Sequence, residues 1–289
     1  MLTPFTKMHG LGNDFVVFDA MSNPISLTTD KICLIADRHF GIGCDQILLL
    51  EPANNDESDV NYRIFNADGG EVEQCGNGAR CAALYLHQSG RVEKDEIIAE
   101  TSNGIIKLYC LPDGQVTVNM GTPRFAPEQI PLIAANRLLS YKLTVENKEF
   151  KFSALSMGNP HAVIEVENVK NAAVESLGPL IESHELFPER VNVGFMQLLG
   201  RDHIRLRVFE RGVGETLACG TGACAAAVAG IILNELNETV FVDLPGGQLK
   251  ISWAGEGQPV MMTGPATKVF EGTIDLNDCL KPLGLHSCS

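Results

Sequence analysis

The sequence predicts an α/β (α+β) protein of two homologous, pseudo-twofold-related domains, each a curved, mostly antiparallel sheet wrapped around a central helix. Three observations lead there. The chain has 289 residues, enough for two domains with their own cores. One segment is written twice in register. Around each copy, strand-like runs surround a single stretch of helix formers.

The repeat fixes the architecture. Laying residues 65–79 over 209–223 without a gap matches Phe65, Gly70, Glu71, Cys75, Gly76, Gly78 and Ala79 with Phe209, Gly214, Glu215, Cys219, Gly220, Gly222 and Ala223. Ala82 and Ala83 then fall on Ala226 and Ala227. At nearly the same offset Gly12-Asn13-Asp14 corresponds to Gly158-Asn159-Pro160, and residues 103–108 to 246–251. Gly114-Gln115 and Gly121 find partners in Gly257-Gln258 and Gly264. Several matches in one order define a domain of residues 1–119, to which 266–289 return, and a second of 120–265. Two facing copies of one fold would place equivalent residues about a pseudo-twofold axis, and the recurring residue with reactive chemistry is cysteine.

The elements follow in chain order. Residues 15–20, 46–51, 60–66, 96–100 and 105–110 are rich in branched or aromatic side chains and bounded by turn residues, and read as strands. After each cysteine the pattern changes. Residues 79–87 and 223–233 are rich in Ala and Leu, with Gly90 and Asn234 as stop signals, and read as helices. No low-complexity segment interrupts them.

Composition removes several functions. The 45% hydrophobic and 20% charged content is that of a globular protein. The N-terminal residues lack the charged start and apolar run of a secretory signal, and residues 223–233 are too short to span a bilayer. A cytoplasmic location is expected. With 22 Lys+Arg against 36 Asp+Glu, the net charge of −14 disfavours nucleic acid and anionic membrane as partners. An anionic substrate would need local positive potential. The nine cysteines form no CxxC pair and no Cys/His cluster of zinc spacing, so no metal is expected and the thiols should be reduced. Cys33, Cys44, Cys110 and Cys279 read as small buried apolar side chains.

Cys75 and Cys219 read otherwise. Each stands immediately before a helix start, in Cys75-Gly76-Asn77-Gly78 and Cys219-Gly220-Thr221-Gly222. A helix N-terminus presents unpaired N–H groups and partial positive charge, so a thiol there is expected to have its pKa lowered. The same glycine-flanked N–H groups can hold a carboxylate. One copy alone would be a capping turn around a buried cysteine. Two copies in register, each with a Glu four residues upstream, point to function. Neither copy matches a nucleotide-binding glycine loop. Two thiols addressing opposite faces of one α-carbon suit stereochemical inversion, where one removes a proton and the other returns one.

At these residues the sequence closely resembles the diaminopimelate epimerases, a family of racemases that work without pyridoxal phosphate. The matching stretches are residues 7–15, 43–46, 65–69, 74–81, 157–161, 190–194, 210–216 and 218–222; the resemblance covers the whole chain, and jointly these motifs are highly specific. The resemblance implies conversion of LL- to meso-diaminopimelate for lysine and peptidoglycan synthesis, with no cofactor, in a homodimer whose site lies in the cleft between two similar domains. It implies acid/base roles for Cys75 and Cys219, and binding of the reacting carboxylate by Gly76, Asn77, Gly220 and Thr221. Asn13, Gln46, Asn66, Asn159, Asn192, Glu210 and Arg211 would bind the substrate, largely its distant amino-acid end. His161 and Glu210 match positions that tune the thiols.

Physical chemistry agrees with that assignment. A guanidinium can grip a carboxylate with paired bonds while a neighbouring Glu takes an ammonium. Taken singly, Glu210-Arg211 would be a solvated pair and Asn13, Asn66 and Asn192 turn residues. Their joint match gives them roles. Two positions depart from the family. Gly70 stands where Ser is common, and Phe270 stands where Tyr is common at the dimer contact, which removes a hydroxyl there. A proline racemase is the nearest enzymatic alternative, although those resemble this chain with His where Asn77 stands. A thiol redox sensor switching on Cys75 and Cys219 is the non-enzymatic one.

Overall fold

A two-residue turn opens the chain. Leu11 (φ 56°) and Gly12 (φ 90°) both take left-handed backbone, the geometry that matches strand twist in a tight hairpin, and they join β1 (Leu2–Gly10) to β2 (Asn13–Asp19). The turn leaves Asn13 at the first position of β2, across from Gly10. The computed structural model describes residues 2–72 and 75–276. The expectations for Gln74, Cys279 and the C-terminal tail lie outside the described residues.

Two units divide the chain, Met1–Val118 with Gly264–Ser289, and Asn119–Thr263. The first unit continues with α1 (Thr29–Ala36), β3 (Gln46–Glu51), β4 (Val60–Asn66), β5 (Glu71–Val72), α2 (Gly76–Gln88), β6 (Glu96–Thr101), β7 (Gly104–Cys110) and β8 (Val116–Asn119). The second holds β9 (Tyr141–Val145), β10 (Lys148–Ser156), β11 (Pro160–Glu165), α3 (Val174–Glu182), β12 (Asn192–Gly200), β13 (His203–Glu210), β14 (Gly214–Thr216), α4 (Gly220–Ile232), β15 (Thr239–Leu244), β16 (Gly247–Ser252) and β17 (Met261–Gly264). The last strand, β18 (Thr267–Asp275), pairs antiparallel with β1 in the first unit.

The two units share one topology. β1–β2, β3–β4, β4–β5 and β6–β7 are antiparallel, while β2–β3 and β4–β6 are parallel. The same sequence of relations recurs in β10–β11, β12–β13, β13–β14 and β15–β16, with β11–β12 and β13–β15 parallel. Register makes the equivalence residue-specific. Ile64 faces Val72 as Val208 faces Thr216, and Phe65 faces Glu71 as Phe209 faces Glu215. A bidentate Arg63–Glu71 pair (2.8 and 2.8 Å) ties β4 to β5, and Arg207–Glu215 (2.6 and 2.7 Å) ties β13 to β14. The recurring upstream Glu is thereby a strand tie.

Sequence patterning suggested one helix per unit. Each has a second, shorter one, for a physical reason. A parallel pair cannot be joined by a hairpin and needs a crossover. α2 and α4 cross between β4–β6 and β13–β15, and α1 and α3 cross between β2–β3 and β11–β12. α1 starts at Thr28, whose side chain accepts from the Lys31 backbone N–H. α2 and α4 are the central helices, and small side chains let the sheets close on them. Ala79, Cys81, Ala82 and Ala83, and residues 223–228, are essentially inaccessible. Cys44 and Cys110 are buried as expected, but Cys33 is only half-buried on α1. Burial pushes the Cys44 and Cys81 thiols up to about 12, which makes both unreactive.

Candidate active site

Each unit carries one half of the expected constellation, at the same place in its topology. In the first unit Cys75 is the N-cap residue of α2, in extended conformation, and its Sγ accepts from the Gly78 N–H at 3.5 Å. Gly78 fits closely there, since a Cβ would come within 3.1 Å of Leu48 and 3.3 Å of Phe15. Asn13 reaches the thiol from the opening turn. Its Oδ1 accepts from Cys75 Sγ at 3.7 Å and from Asn77 Nδ2 at 3.2 Å. Asn77 and Gly76 are buried in the first turn of α2. Gln46 and Asn66 face each other across β3–β4, and Gln46 Nε2 donates to Asn66 Oδ1 at 2.8 Å.

An ion network backs this half. Asp14 is paired with Lys7 at 2.6 Å and with Arg38 at 2.8 Å, and Arg38 also pairs with Asp45 at 2.7 Å. Burial works to raise the Asp14 pKa, but hydrogen bonds from Arg38 and Lys7 outweigh it and hold the carboxyl well below the usual range. Asp45 Oδ2 in turn accepts from Asn13 Nδ2 and from the Asp14 N–H, both at 3.0 Å.

In the second unit Cys219 is the N-cap residue of α4, and it is buried. Its Sγ donates to Glu210 Oε2 at 3.0 Å and lies 3.5 Å from Thr221 Oγ1. Thr216 Oγ1 donates to the other oxygen of Glu210. Asn159 Nδ2 donates to Thr221 Oγ1 at 3.3 Å, and His161 Nε2 donates to Asn159 Oδ1 at 2.9 Å. Burial, with a smaller contribution from the Arg211 charge, lowers the His161 pKa to about 3, so the imidazole is neutral at physiological pH. Asn192 spans the half-site, its Nδ2 donating to Pro160 O and its Oδ1 accepting from the Arg211 N–H, both at 2.9 Å. The Arg211 side chain is exposed, with Nη1 donating to Glu189 O at 3.1 Å.

One expectation is corrected here. The helix terminus was expected to lower the pKa of the thiol. For Cys219 desolvation dominates, the Glu210 carboxylate adds to it, and the pKa is raised well above its ordinary value. The Thr221 and Gly222 hydrogen bonds oppose that shift without reversing it.

The structure thus joins Asn13, Cys75 and Asn77 in one half, and Asn159, His161, Glu210, Cys219 and Thr221 in the other. Gln46–Asn66 and Asn192–Arg211 form separate pairs with no hydrogen bond to either sulfur among the described contacts. Sequence reasoning missed Asp45, Arg80 and Thr216. Arg80 was detectable as a lone charge inside an Ala- and Leu-rich helix, and Thr216 as a polar residue whose counterpart in the repeat is Val72. Asp45 carried no comparable signal. Among the described residues no cluster of His, Cys, Asp or Glu is arranged to hold a metal ion.

Known proteins resemble the chain over most of its length. The family model for diaminopimelate epimerase matches residues 5–126 and 153–269. The chain belongs to the diaminopimelate epimerase family. A relative named diaminopimelate epimerase from Thioalkalivibrio sulfidiphilus is 60% identical over 278 residues, covering 96% of this chain and all of that protein. Another of that name from Pseudomonas aeruginosa is 56% identical over 276 residues, again 96% of this chain and all of the relative. More distant solved structures share the fold alone. A hydroxyproline epimerase from Agrobacterium vitis superposes with a TM-score of 0.69 at 17% identity, over 94% of this chain and 92% of its own. A probable proline racemase from Agrobacterium radiobacter gives 0.70 at 17%, over 97% and 95%. Within the epimerase family, then, the two-thiol reading has a specific substrate class to be tested on.

Proposed function

We propose that the chain interconverts LL- and meso-diaminopimelate without a cofactor, by proton transfer between the α-carbon and two thiols, Cys75 and Cys219. The observation that carries this reading is the repetition of a cysteine N-cap, followed by Gly-x-Gly, in two units that give the two sulfurs different polar neighbours. Family membership supports the substrate.

In this reading one sulfur, as thiolate, takes the α-proton while the other, as thiol, delivers a proton to the opposite face, and the two exchange protonation states with each turnover. The carbanion formed between these steps is stabilised through its carboxylate by N–H groups of the first helical turns, at Gly76, Asn77, Gly220 and Thr221. Glu210 is placed to accept the Cys219 proton and so generate the thiolate when substrate arrives. With both Glu210 oxygens engaged inside the second unit, its contacts favour tuning over capture of the distant ammonium. Asn13, Gln46, Asn66, Asn159, Asn192 and Arg211 bind the substrate. The exposed Arg211 guanidinium suits the distant carboxylate.

A homodimer in the cytoplasm, supplying lysine and peptidoglycan precursors, completes the proposal. Support for the dimer comes from β18, where Val269 and Phe270 are 54% and 47% exposed side by side on a nine-residue strand. Light scattering should give twice the chain mass. The activity test is incubation of reduced protein with LL-diaminopimelate in deuterated water without additives. Meso product carrying α-deuterium is expected. Absence of turnover, or equal turnover of proline, overturns the reading.

A further inference from the structure

Arg80 is the largest fully buried side chain of the first unit, and it lies one turn into α2. Its Nη2 donates to Asn77 Oδ1 at 2.9 Å, and its Nε to Pro265 O at 3.1 Å. A guanidinium only donates, so the oxygen of Asn77 must face it. Asn77 Nδ2 is then directed at Asn13 Oδ1. At the far end stands the Asp45 carboxylate, paired with Arg38, and it accepts from Asn13 Nδ2. A donor-only group at one end and an acceptor-only group at the other leave the two amides a single orientation. Gly10 packs against the assembly from β1, where a Cβ would sit 3.0 Å from Arg80 Nη2 and 3.3 Å from Asn77 Cβ.

The second unit turns the equivalent asparagine the other way. His161 occupies Asn159 Oδ1, so Nδ2 is the end directed at Thr221, the neighbour of Cys219 Sγ. Arg80 itself has Cys224 as its counterpart in the repeat. The relay is therefore a property of the first unit and does not follow from the shared topology.

We propose that Arg80 and Asp45 are positioning residues that polarise an Asn77–Asn13 amide relay and hold the carbonyl oxygen of Asn13 toward Cys75. This rests on the reading of Cys75 as one of the two proton-transfer groups. An acceptor beside the sulfur favours S–H over S⁻, against the Gly78 N–H and the helix terminus, which favour S⁻. Among the described residues, the other titratable or charged groups around this half include Tyr62 on β4, Cys81 and Arg80 on α2, Lys7 and His9 on β1, Asp14 on β2, and Arg38, Cys44 and Asp45 between α1 and β3. Without the relay, Asn13 is free to rotate and offer Nδ2 to the thiolate.

Asp45→Asn tests this in the intact protein. The side chain is 44% exposed and the change is isosteric, so the fold should survive. The measurement is the iodoacetamide alkylation rate of Cys75 against pH, read by peptide mass mapping with Cys219 as reference in the same digest. The midpoint for Cys75 should fall by about half a unit to one unit, with Cys219 unmoved. The shift should persist in 1 M salt, where loss of a partly exposed charge is screened within roughly 3 Å. Arg80→Gln, which can present either end to Asn77, should lower the midpoint likewise, and Arg80→Lys should preserve it. If Arg80→Gln fails to fold, Asp45→Asn decides alone. An unchanged midpoint, a shift that vanishes in salt, or equal shifts at both cysteines overturns the relay. Because alkylation needs no turnover, a relay confirmed in a protein that does not epimerise would sink the functional reading alone.

Discussion

Cys75 and Cys219 occupy one position of a twice-used topology, yet almost every polar neighbour differs between them. Asn66 ends β4 where Glu210 ends β13, and Val72 stands where Thr216 holds one Glu210 oxygen. Phe15, paired with Gln46, takes the strand position that His161, paired with Asn192, takes in the second unit. Asn77 stands for Thr221. The half around Cys219 is anionic and buried, while the half around Cys75 is a neutral amide relay backed by ion pairs. Backbone repetition supplies the cap and the N–H groups. A few substitutions then change the polar groups that each sulfur meets.

The largest expected effect tests whether both halves are needed. Cys75→Ala and Cys219→Ala should each lower turnover by about 10³-fold or more with unchanged circular dichroism, since each removes one proton carrier. Near-normal activity in either variant would break the two-thiol reading. Next comes the difference between the halves. Glu210→Gln removes the acceptor of the Cys219 proton and should cost about 10- to 100-fold in kcat. Asn66→Gln, its counterpart, lies at a residue bonded to Gln46 and, among the described contacts, to no sulfur, and should act mainly on KM. Equal kcat losses would erase the asymmetry. Arg211→Met should raise KM for diaminopimelate, the exposed guanidinium acting on substrate and not on the core.

A pH measurement sharpens the same contrast through His161. Its folded pKa is about 3 against an ordinary 6.5, so between those values the unfolded chain binds a proton that the folded one refuses. Stability should therefore fall as pH drops from about 6.5 towards 3, by up to about 1.4 kcal/mol per pH unit from this group. His161→Phe installs the residue of the first unit and should flatten that slope in denaturant titrations. An unchanged slope would show that the imidazole is not the buried neutral base described here.

Much of this arrangement was legible in the sequence. The repeat placed both cysteines before helices, and β3 and β4 ran over the residues that periodicity indicated. What escaped was set by tertiary contact. α1 is marked locally by little beyond its Thr28 cap, and α3 has Pro179 inside it and no side-chain cap, so its local pattern argues against a helix. The Cys219 pKa departs from the expectation set by its helix terminus because helix position is visible in sequence, whereas burial beside Glu210 is not. Asp45 meets Asn13 from 32 residues away and Arg80 is anchored at Pro265, 185 residues away, and spacing reveals neither contact.

The smallest expected effect concerns the Glu that precedes each cysteine by four residues. Its recurrence suggested catalysis, and its contacts assign it to strand pairing, so the two outcomes separate cleanly. Glu71 and Glu215 each hold an arginine with two bonds, but the surroundings differ. The first pair is 38% and 36% exposed, the second 24% and 22%, and Arg207 also donates to Val169 O and Ala172 O. Screening by water weakens the more open pair. Glu71→Gln should cost a few tenths of a kcal/mol and Glu215→Gln about 1 kcal/mol, measured by urea unfolding. Both variants should keep kcat within about twofold, because neither Glu71 nor Glu215 touches a sulfur. A tenfold loss of kcat with little loss of stability would move the recurring glutamates from the sheet into the chemistry.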